Sequence, residues 1–552
     1  MTARACWRWP AWRDRAMCGI LGCVSGRVDG ALFDRALGEL EHRGPFDRGQ
    51  AEAGLLRLGM TRLPMSSRDD YPLPPRVDGW LASYNGEIYR GAVGGLPAEV
   101  GLLIDALREG GDFPDGMYAF ALLEPSGARL HLGRDALGIK PLYYWHDPDR
   151  GEFAFASELP ALLRLLGPRK LDRASVADVA ATGAVLGYRT MFEGIRLLPP
   201  GTLLSLDMCE PHRAPRLSPL RTAAAEREEA LEEALASSVA KCSHTFRDVG
   251  LLLSGGIDSN LLNSYLPDGA AKFHVEVADS GDHPGQQRAL HVCRVAGGDF
   301  WALARRAVRN FSAPTRMSSI LMYQELAELV RRHGYYCVLL GEGADELFWG
   351  YPRHLAMAES GFELTPRQLA AQYFGDFSAR AAWLAPELEA AALARVDEAT
   401  GEMCADGLDE AVWRFDLHYS LEPLLRRADH LLMSQTIEAR LPFLHGGVPA
   451  RARGLGRARL EGLRQKAPLQ ELIRRRLPSY PIEKKRHFRL PFSQWPGVVD
   501  EMRGFLSNGL DALHGLGLAR LSPDAVRSMA AGDAFTLTTL LLWRQAFAEH
   551  LQ

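Results

Sequence analysis

At 552 residues, 47% hydrophobic and 24% charged, the chain is too long for one ordinary core and has the balance of a globular protein of two or three domains. A net charge of −4 without a basic domain argues against nucleic acid as a partner, and no apolar run approaches the roughly 18–20 residues of a membrane span. The eight cysteines are scattered, with no CxxC pair and no His/Cys metal spacing, which predicts reduced thiols and a cytoplasmic compartment.

Residues 1–16, MTARACWRWPAWRDRA, mix Arg and Trp without a continuous apolar stretch, so they are not a secretory signal; they read as an extension absent from the mature chain. From 17 to 208 the sequence is glycine-rich with short β-like runs at 81–89, 117–124, 128–135 and 151–158, which predicts a mostly antiparallel sheet system. The polar, proline-bearing stretch 209–222 reads as a linker. Beyond it, from 223 to 552, the texture changes. A helical segment at 223–242 precedes VGLLL at 249–253, a short continuous apolar run of the kind a buried parallel strand has. Further strands at 272–277 and 335–343 alternate with helices, which predicts an α/β domain, and after residue 353 the pattern is nearly all helix.

The sharpest motif is LLLSGGIDSN at 251–260. A strand running into Ser254-Gly255-Gly256, with a helix starting near Ser259, builds an anion cradle from backbone N–H groups and a helix N-terminus. It lacks the GxxxxGK[ST] of a Walker A loop; it matches instead the pyrophosphate loop of enzymes that split ATP into AMP and pyrophosphate. LLGEGADELFWGY at 339–351 ends another expected strand and supplies Glu342, Asp345 and Glu346. Carboxylates at neighbouring strand ends suit Mg²⁺, which takes one or two of them plus phosphate oxygens. IEKKRHFRLPFSQW at 482–495 sets Lys485 before a Phe488, Pro491, Trp495 frame.

With these motifs on the page, the chain resembles the glutamine-dependent asparagine synthetase family. MCGI at 17–20, HRGP at 42–45, NGEIY at 85–89, GMYAFAL at 116–122, GRDALGIKPLYY at 133–144, FASE at 155–158 and LPPGT at 198–202 are similar to a class II (N-terminal nucleophile) glutaminase domain. SGGIDS, GEGADELFWGY, IEARLPFL at 437–444 and the Lys485 frame are similar to the adenylating domain. The resemblance implies an α+β glutaminase of stacked antiparallel sheets over 17–208. It implies an α/β parallel-sheet ATP-pyrophosphatase with a helical C-terminal part over 223–552.

It also implies roles. Cys18 would attack the glutamine side-chain amide and release ammonia. As residue one it would carry its own base, because a free α-amine titrates near pH 7.7–8.0 whereas an amide nitrogen is not basic. Asn85 and Gly86 would form the oxyanion hole; Arg62, Asn85 and Glu87 would bind glutamine. Leu253, Ser254, Gly255, Gly256, Asp258, Ser259, Gly341, Glu342 and Gly343 would hold ATP, with Asp258 and Asp345 on Mg²⁺. Lys485 would neutralise transition-state charge, and Glu342 would act as the base in amide formation. The partners implied are glutamine and a carboxylate acceptor, aspartate or a specialised metabolite, with a homodimer as a further expectation.

The chain departs from the family pattern at several points. Only RGAVGG separates NGEIY from LPAEV, and the aspartate that would bind the glutamine amine is Pro97, leaving Glu99 as the nearby acid. PFLD becomes Pro442-Phe443-Leu444-His445, DRxSM becomes DHLLM at 429–433, and 279–287 lacks an Asp-Glu pair. These departures keep open an alternative reading like β-lactam synthetases or lasso-peptide cyclases, in which an amine on the substrate attacks the adenylate and the glutaminase half is vestigial.

Overall fold

The computed structural model describes residues 18–65, 71–89, 95–222, 230–278, 288–482 and 490–552. Two six-stranded antiparallel sheets form the first half. One runs in the order Ile195–Leu197, Tyr143–Asp147, Glu152–Ala156, Cys18–Val24, Leu56–Arg62, Asp47–Ala53. The other runs Arg216–Pro219, Thr202–Asp207, Arg129–Arg134, Gly116–Leu123, Trp80–Ile88, Arg76–Val77. Cys18–Val24 and Leu56–Arg62 of the first sheet meet Trp80–Ile88 of the second face to face. Ile20, Leu58, Met60, Tyr84, Phe120 and Leu132 fill the space between them. The central strands are buried on both faces, and the edge strand Asp47–Ala53 keeps the alternation of a half-exposed ribbon. The stretch expected as a linker supplies the edge strand Arg216–Pro219, paired to Thr202–Asp207, so it belongs to this sheet rather than spacing two units apart.

The second half holds a five-stranded, fully parallel sheet ordered Leu290–Val295, Lys272–Val277, Val249–Leu252, Cys337–Leu339, Glu438–Arg440. In sequence order this is 3-2-1-4-5. The order reverses between Val249–Leu252 and Cys337–Leu339, and open α/β sheets form their ligand crevice beyond the carboxyl ends of the strands at such a point. SGGIDS follows the first of these strands and GEGADE follows the second. Helices cover both faces and continue to the C-terminus, as in Ser319–Arg332, Glu422–Met433 and Ala531–Ala546. One apolar core is continuous through both halves, from Leu37 and Leu162 to Leu251, Val338 and Leu432.

Charged pairs lock the halves together inside this core. Arg43, fully buried, donates to Glu158 at 2.7 Å and to Asp429 at 2.8 and 3.1 Å, and Lys140 reaches Asp429 at 3.4 Å. Arg440 on the edge strand of the parallel sheet pairs with Glu87 of the first half and with its own neighbour Glu438. His445, the departure from PFLD, lies 3.3 Å from Asp115, packs against the edge of the Tyr89 ring at 4.4 Å, and is buried.

Candidate functional sites

Cys18 opens a central strand, opposite Arg62 in the antiparallel register, and is buried. Burial pushes its thiol up to about 12, with Glu99 and Glu438 acting in the same direction and the Arg62 and Arg43 charges opposing. A thiol in that state does not ionise at neutral pH unaided, so it needs a base at hand. Asn85 lies on Trp80–Ile88, the strand that faces Cys18–Val24, and is wholly buried; among the described residues neither its Nδ2 nor its Oδ1 has a hydrogen-bond partner. A buried amide with both ends unsatisfied costs free energy unless a ligand completes it. Gly86 follows with φ of +147°, and a Cβ there would come within 2.0 Å of the Met117 carbonyl oxygen, so no other residue fits.

Glu87 is drawn into the ion pair with Arg440, and burial, with Glu438 and Glu99 nearby, moves its pKa well up despite that pairing. Glu99, the acid near Pro97, accepts from the Tyr84 hydroxyl at 2.7 Å and from the Ile88 N–H at 3.2 Å, and so braces the strand that carries Asn85. Pro97 stands in the first turn of helix Leu96–Glu109, where a missing N–H costs nothing. Arg62 is fully buried, donates to the Tyr71 hydroxyl at 2.7 Å, and lies 4.1 Å over the Tyr71 ring. Nothing in the sequence pattern singled out Tyr71.

At the switch point of the parallel sheet, Gly255 turns the chain with φ of +78°, and Gly256 caps helix Ile257–Asn263. Ser259 braces the loop: its hydroxyl accepts from the Ser254 N–H at 3.2 Å. Tyr480 donates to the Gly255 carbonyl at 2.8 Å. Leu253, fully buried, continues the strand into this loop by donating to the Phe273 carbonyl at 2.9 Å. Across the crevice Gly341, Glu342 and Gly343 lead into the short helix Ala344–Leu347 that carries Asp345. The two aspartates expected on Mg²⁺ do converge, and a residue that sequence reasoning missed joins them. Lys466 Nζ lies 2.7 and 2.6 Å from the Asp258 oxygens and 2.7 Å from Asp345 Oδ1, and it is buried. The paired carboxylates raise the Lys466 ammonium above its ordinary range against the effect of burial. Only a lone lysine before APLQELI marks this position in the sequence, and its distance of 208 residues from Asp258 hides the pairing.

Glu342 is held by two donors that were also unforeseen. Tyr323 and Arg427 both give hydrogen bonds to its Oε1, and the Arg427 guanidinium lies 4.0 Å over the Tyr323 ring. Glu346, next to Asp345, is pushed up to about 8 by burial first and by the Asp345 charge second. Lys485, Phe488 and the segment 279–287 lie outside the described residues, while Trp495 is buried beside Gly297.

Comparison with known proteins follows this division. A model described as "Asparagine synthase" matches residues 230–546, and one described as "Glutamine amidotransferase domain" matches residues 17–92 and 106–213. The chain belongs to the asparagine synthase family. Among relatives of the family, a Mycobacterium tuberculosis protein named as a glutamine-hydrolysing asparagine synthetase is 28% identical over 61% of this chain and 60% of its own length. Glutamine-hydrolysing asparagine synthetase 3 of Bacillus subtilis is 23% identical over 87% of this chain and 89% of its own. Asparagine synthetase B of Escherichia coli is 26% identical over 61% and 65%. The chain thus aligns with less than two thirds of the mycobacterial and E. coli relatives' length. Among solved structures, an allosteric regulatory enzyme of purine biosynthesis aligns with 59% of this chain and 81% of its own, at 12% identity and a TM-score of 0.26.

Proposed function

We propose that this chain is a glutamine-hydrolysing, ATP-dependent amide synthetase of the asparagine synthetase type. The observation that carries the reading is the convergence of Asp258, Asp345 and Lys466 at the carboxyl ends of the two switch-point strands, behind a Ser-Gly-Gly turn. In the first half the thiol of Cys18 attacks the glutamine amide carbon and ammonia leaves; water then releases glutamate from the thioester. The thiol's raised pKa asks for a base, and a free α-amine on Cys18 supplies it, so the active chain would begin at Cys18. The unsatisfied Asn85 amide offers its Nδ2 donor to the oxyanion. In the second half an acceptor carboxylate attacks the α-phosphorus of ATP, pyrophosphate departs, and ammonia displaces AMP. The crevice takes the phosphates on the Ser-Gly-Gly turn before helix Ile257–Asn263 and on the Lys466 ammonium.

The pair of close carboxylates, bridged now by one ammonium, fits Mg²⁺ held with phosphate oxygens: Asp258 and Asp345 would bind it. Mg²⁺ would supply charge neutralisation on the departing pyrophosphate. Glu342, oriented by Tyr323 and Arg427, stands at the same strand end to take the proton that the attacking nitrogen must lose. Aspartate is the acceptor proposed, by the relatives' names. The reading in which a substrate amine replaces glutamine rests on Pro97 and the short segment before it; the presence of Cys18, Arg62, Asn85 and Gly86 favours glutamine as the nitrogen source.

The test is pyrophosphate release from ATP with aspartate and a panel of other carboxylates, each with glutamine, with ammonium, or with no nitrogen source. Amide formed with AMP and pyrophosphate, and dependent on glutamine or ammonium, is the expected result. ADP as the main product, or product formed equally without any nitrogen source, would overturn it.

A further inference from the structure

Two hydrogen-bond donors converge on a single oxygen in the glutaminase half. Arg62 Nη2 approaches the Tyr71 hydroxyl oxygen at 2.7 Å, and the backbone N–H of Leu96 approaches the same oxygen at 3.1 Å. A guanidinium and a backbone N–H aimed at one point form an anion site, suited to a carboxylate oxygen. Arg62 is fully buried and pairs in register with Cys18, so this point is held by the residue directly across the sheet from the nucleophile. The Asn85 amide, on the strand facing Cys18–Val24, is buried with both of its polar atoms unsatisfied, and that marks the pocket as built for a polar ligand. The anion end of the pocket is nevertheless filled by this chain's own phenol. The Tyr71 ring also covers the guanidinium face at 4.1 Å, a cation–π contact that holds it there.

We propose that Tyr71 determines the nitrogen-donor preference of this enzyme: its hydroxyl stands where the α-carboxylate of glutamine must bind, so glutamine has to displace it, while ammonia does not. The inference rests on the glutamine-hydrolysing reading above. A pocket competent only after the phenol leaves binds with an apparent dissociation constant raised by the inverse of the competent fraction. That cost falls on binding before any chemistry, so it enters KM for glutamine rather than kcat. It is also specific to donors carrying the carboxylate. An amide without one has no use for the Arg62–Leu96 site and does not compete with the phenol.

The experiment uses the full-length protein with Tyr71→Phe, which removes the hydroxyl and keeps the ring, and Tyr71→Ala, which removes both. Glutamine binding is followed by calorimetry and glutamate release by a coupled assay; γ-aminobutyramide, which lacks the α-carboxylate, is the control ligand. A thermal melt matching the parent establishes that each variant folds. The expected result is a fall of about tenfold or more in the Kd and KM for glutamine in both variants, with no matching gain for γ-aminobutyramide. Glutamate release with unchanged glutamine Kd and KM would overturn the role of Tyr71 and leave glutamine hydrolysis standing. An equal gain for both ligands would overturn it as well, as would no detectable glutamine binding in any of the three proteins. Tighter glutamine binding in the variants with no glutamate released by any of them would support the role of Tyr71 and remove the hydrolysis reading instead.

Discussion

Lys466 shows how much of the proposed ATP site depends on one buried charge. Its ammonium separates two carboxylates that would otherwise face each other in the crevice. Lys466→Ala leaves both aspartates without their shared counter-charge and removes a phosphate ligand. The expected outcome is a loss of about a hundredfold or more in ATP-dependent pyrophosphate release, on the scale of a lost transition-state donor, while glutamate release from glutamine persists. A coupled pyrophosphate assay beside a glutaminase assay reads both. Cys18→Ala should divide the activities the other way. In the proposed reaction the thiol serves only to free nitrogen, so glutamine-dependent product should vanish and ammonium-dependent product should remain, as product analysis with each nitrogen source would show. Of the residues in these two sites, Cys18, Arg62, Asn85, Gly86, Asp258, Glu342 and Asp345 were legible because each lies inside a contiguous motif. Lys466, Arg427, Tyr323 and Tyr71 were not. Each acts through a partner brought near by folding, and no spacing rule links Tyr71 to Leu96 or Lys466 to Asp345.

At the scale of the element, the parallel sheet holds two strands that the sequence reading missed, Leu290–Val295 and Glu438–Arg440, and the chemistry of the second explains why. It has three residues, two of them charged, with none of the β-branched or aromatic texture that marks a strand. Both charges are buried, a pattern that sequence reading assigns to a solvated turn. What makes it a strand is tertiary: parallel pairing to Cys337–Leu339, and Arg440 satisfied by Glu87, Glu438 and the carbonyls of Cys242 and His244. The strands Val249–Leu252 and Lys272–Val277 were placed within a residue, the first by its continuous apolar run and the second by Phe and Val alternating with polar residues. Arg440→Met keeps much of the stem and leaves two buried carboxylates unpaired. That should cost about 3–5 kcal/mol of stability, seen as a lower denaturation midpoint in urea. Pairing it with Glu87→Gln should recover part of the loss, because one stranded charge is then gone.

For the whole molecule, the buried ionic seam sets how stability responds to acid. Burial works to raise the Asp429 carboxyl, but Arg43 and Lys140 hold it below the usual carboxylate range; burial likewise works on Glu158, and His42 and Arg43 hold it well below. Stabilisation from these two groups is present above their unfolded pKa, about 4, and is lost as pH falls through their depressed folded values. Buried His430 and His354 act earlier. Burial lowers both, so they stay neutral in the fold while the unfolded chain takes up protons below about pH 6.5. The melting temperature is therefore expected to begin falling as pH drops through about 6.5 and to fall more steeply below about 4. Arg43→Met should remove much of the steep acid limb and lower the melt at neutral pH, since Glu158 and Asp429 would then lie buried without their shared cation.

The contact between Arg43 and Asp429 joins positions 386 residues apart in the chain. During synthesis the arginine leaves the ribosome long before its partner exists; at roughly 5–20 residues per second the wait is about 20–80 s. Throughout that interval the finished sheets of the first half hold Arg43 against Glu158 alone, and present an apolar face to solvent or to whatever chaperone holds them. A gene cut after the first half would make that interval permanent, so the first half produced alone should collect in the insoluble fraction. Supplying the second half from a separate gene should bring it back into solution only when both are translated together.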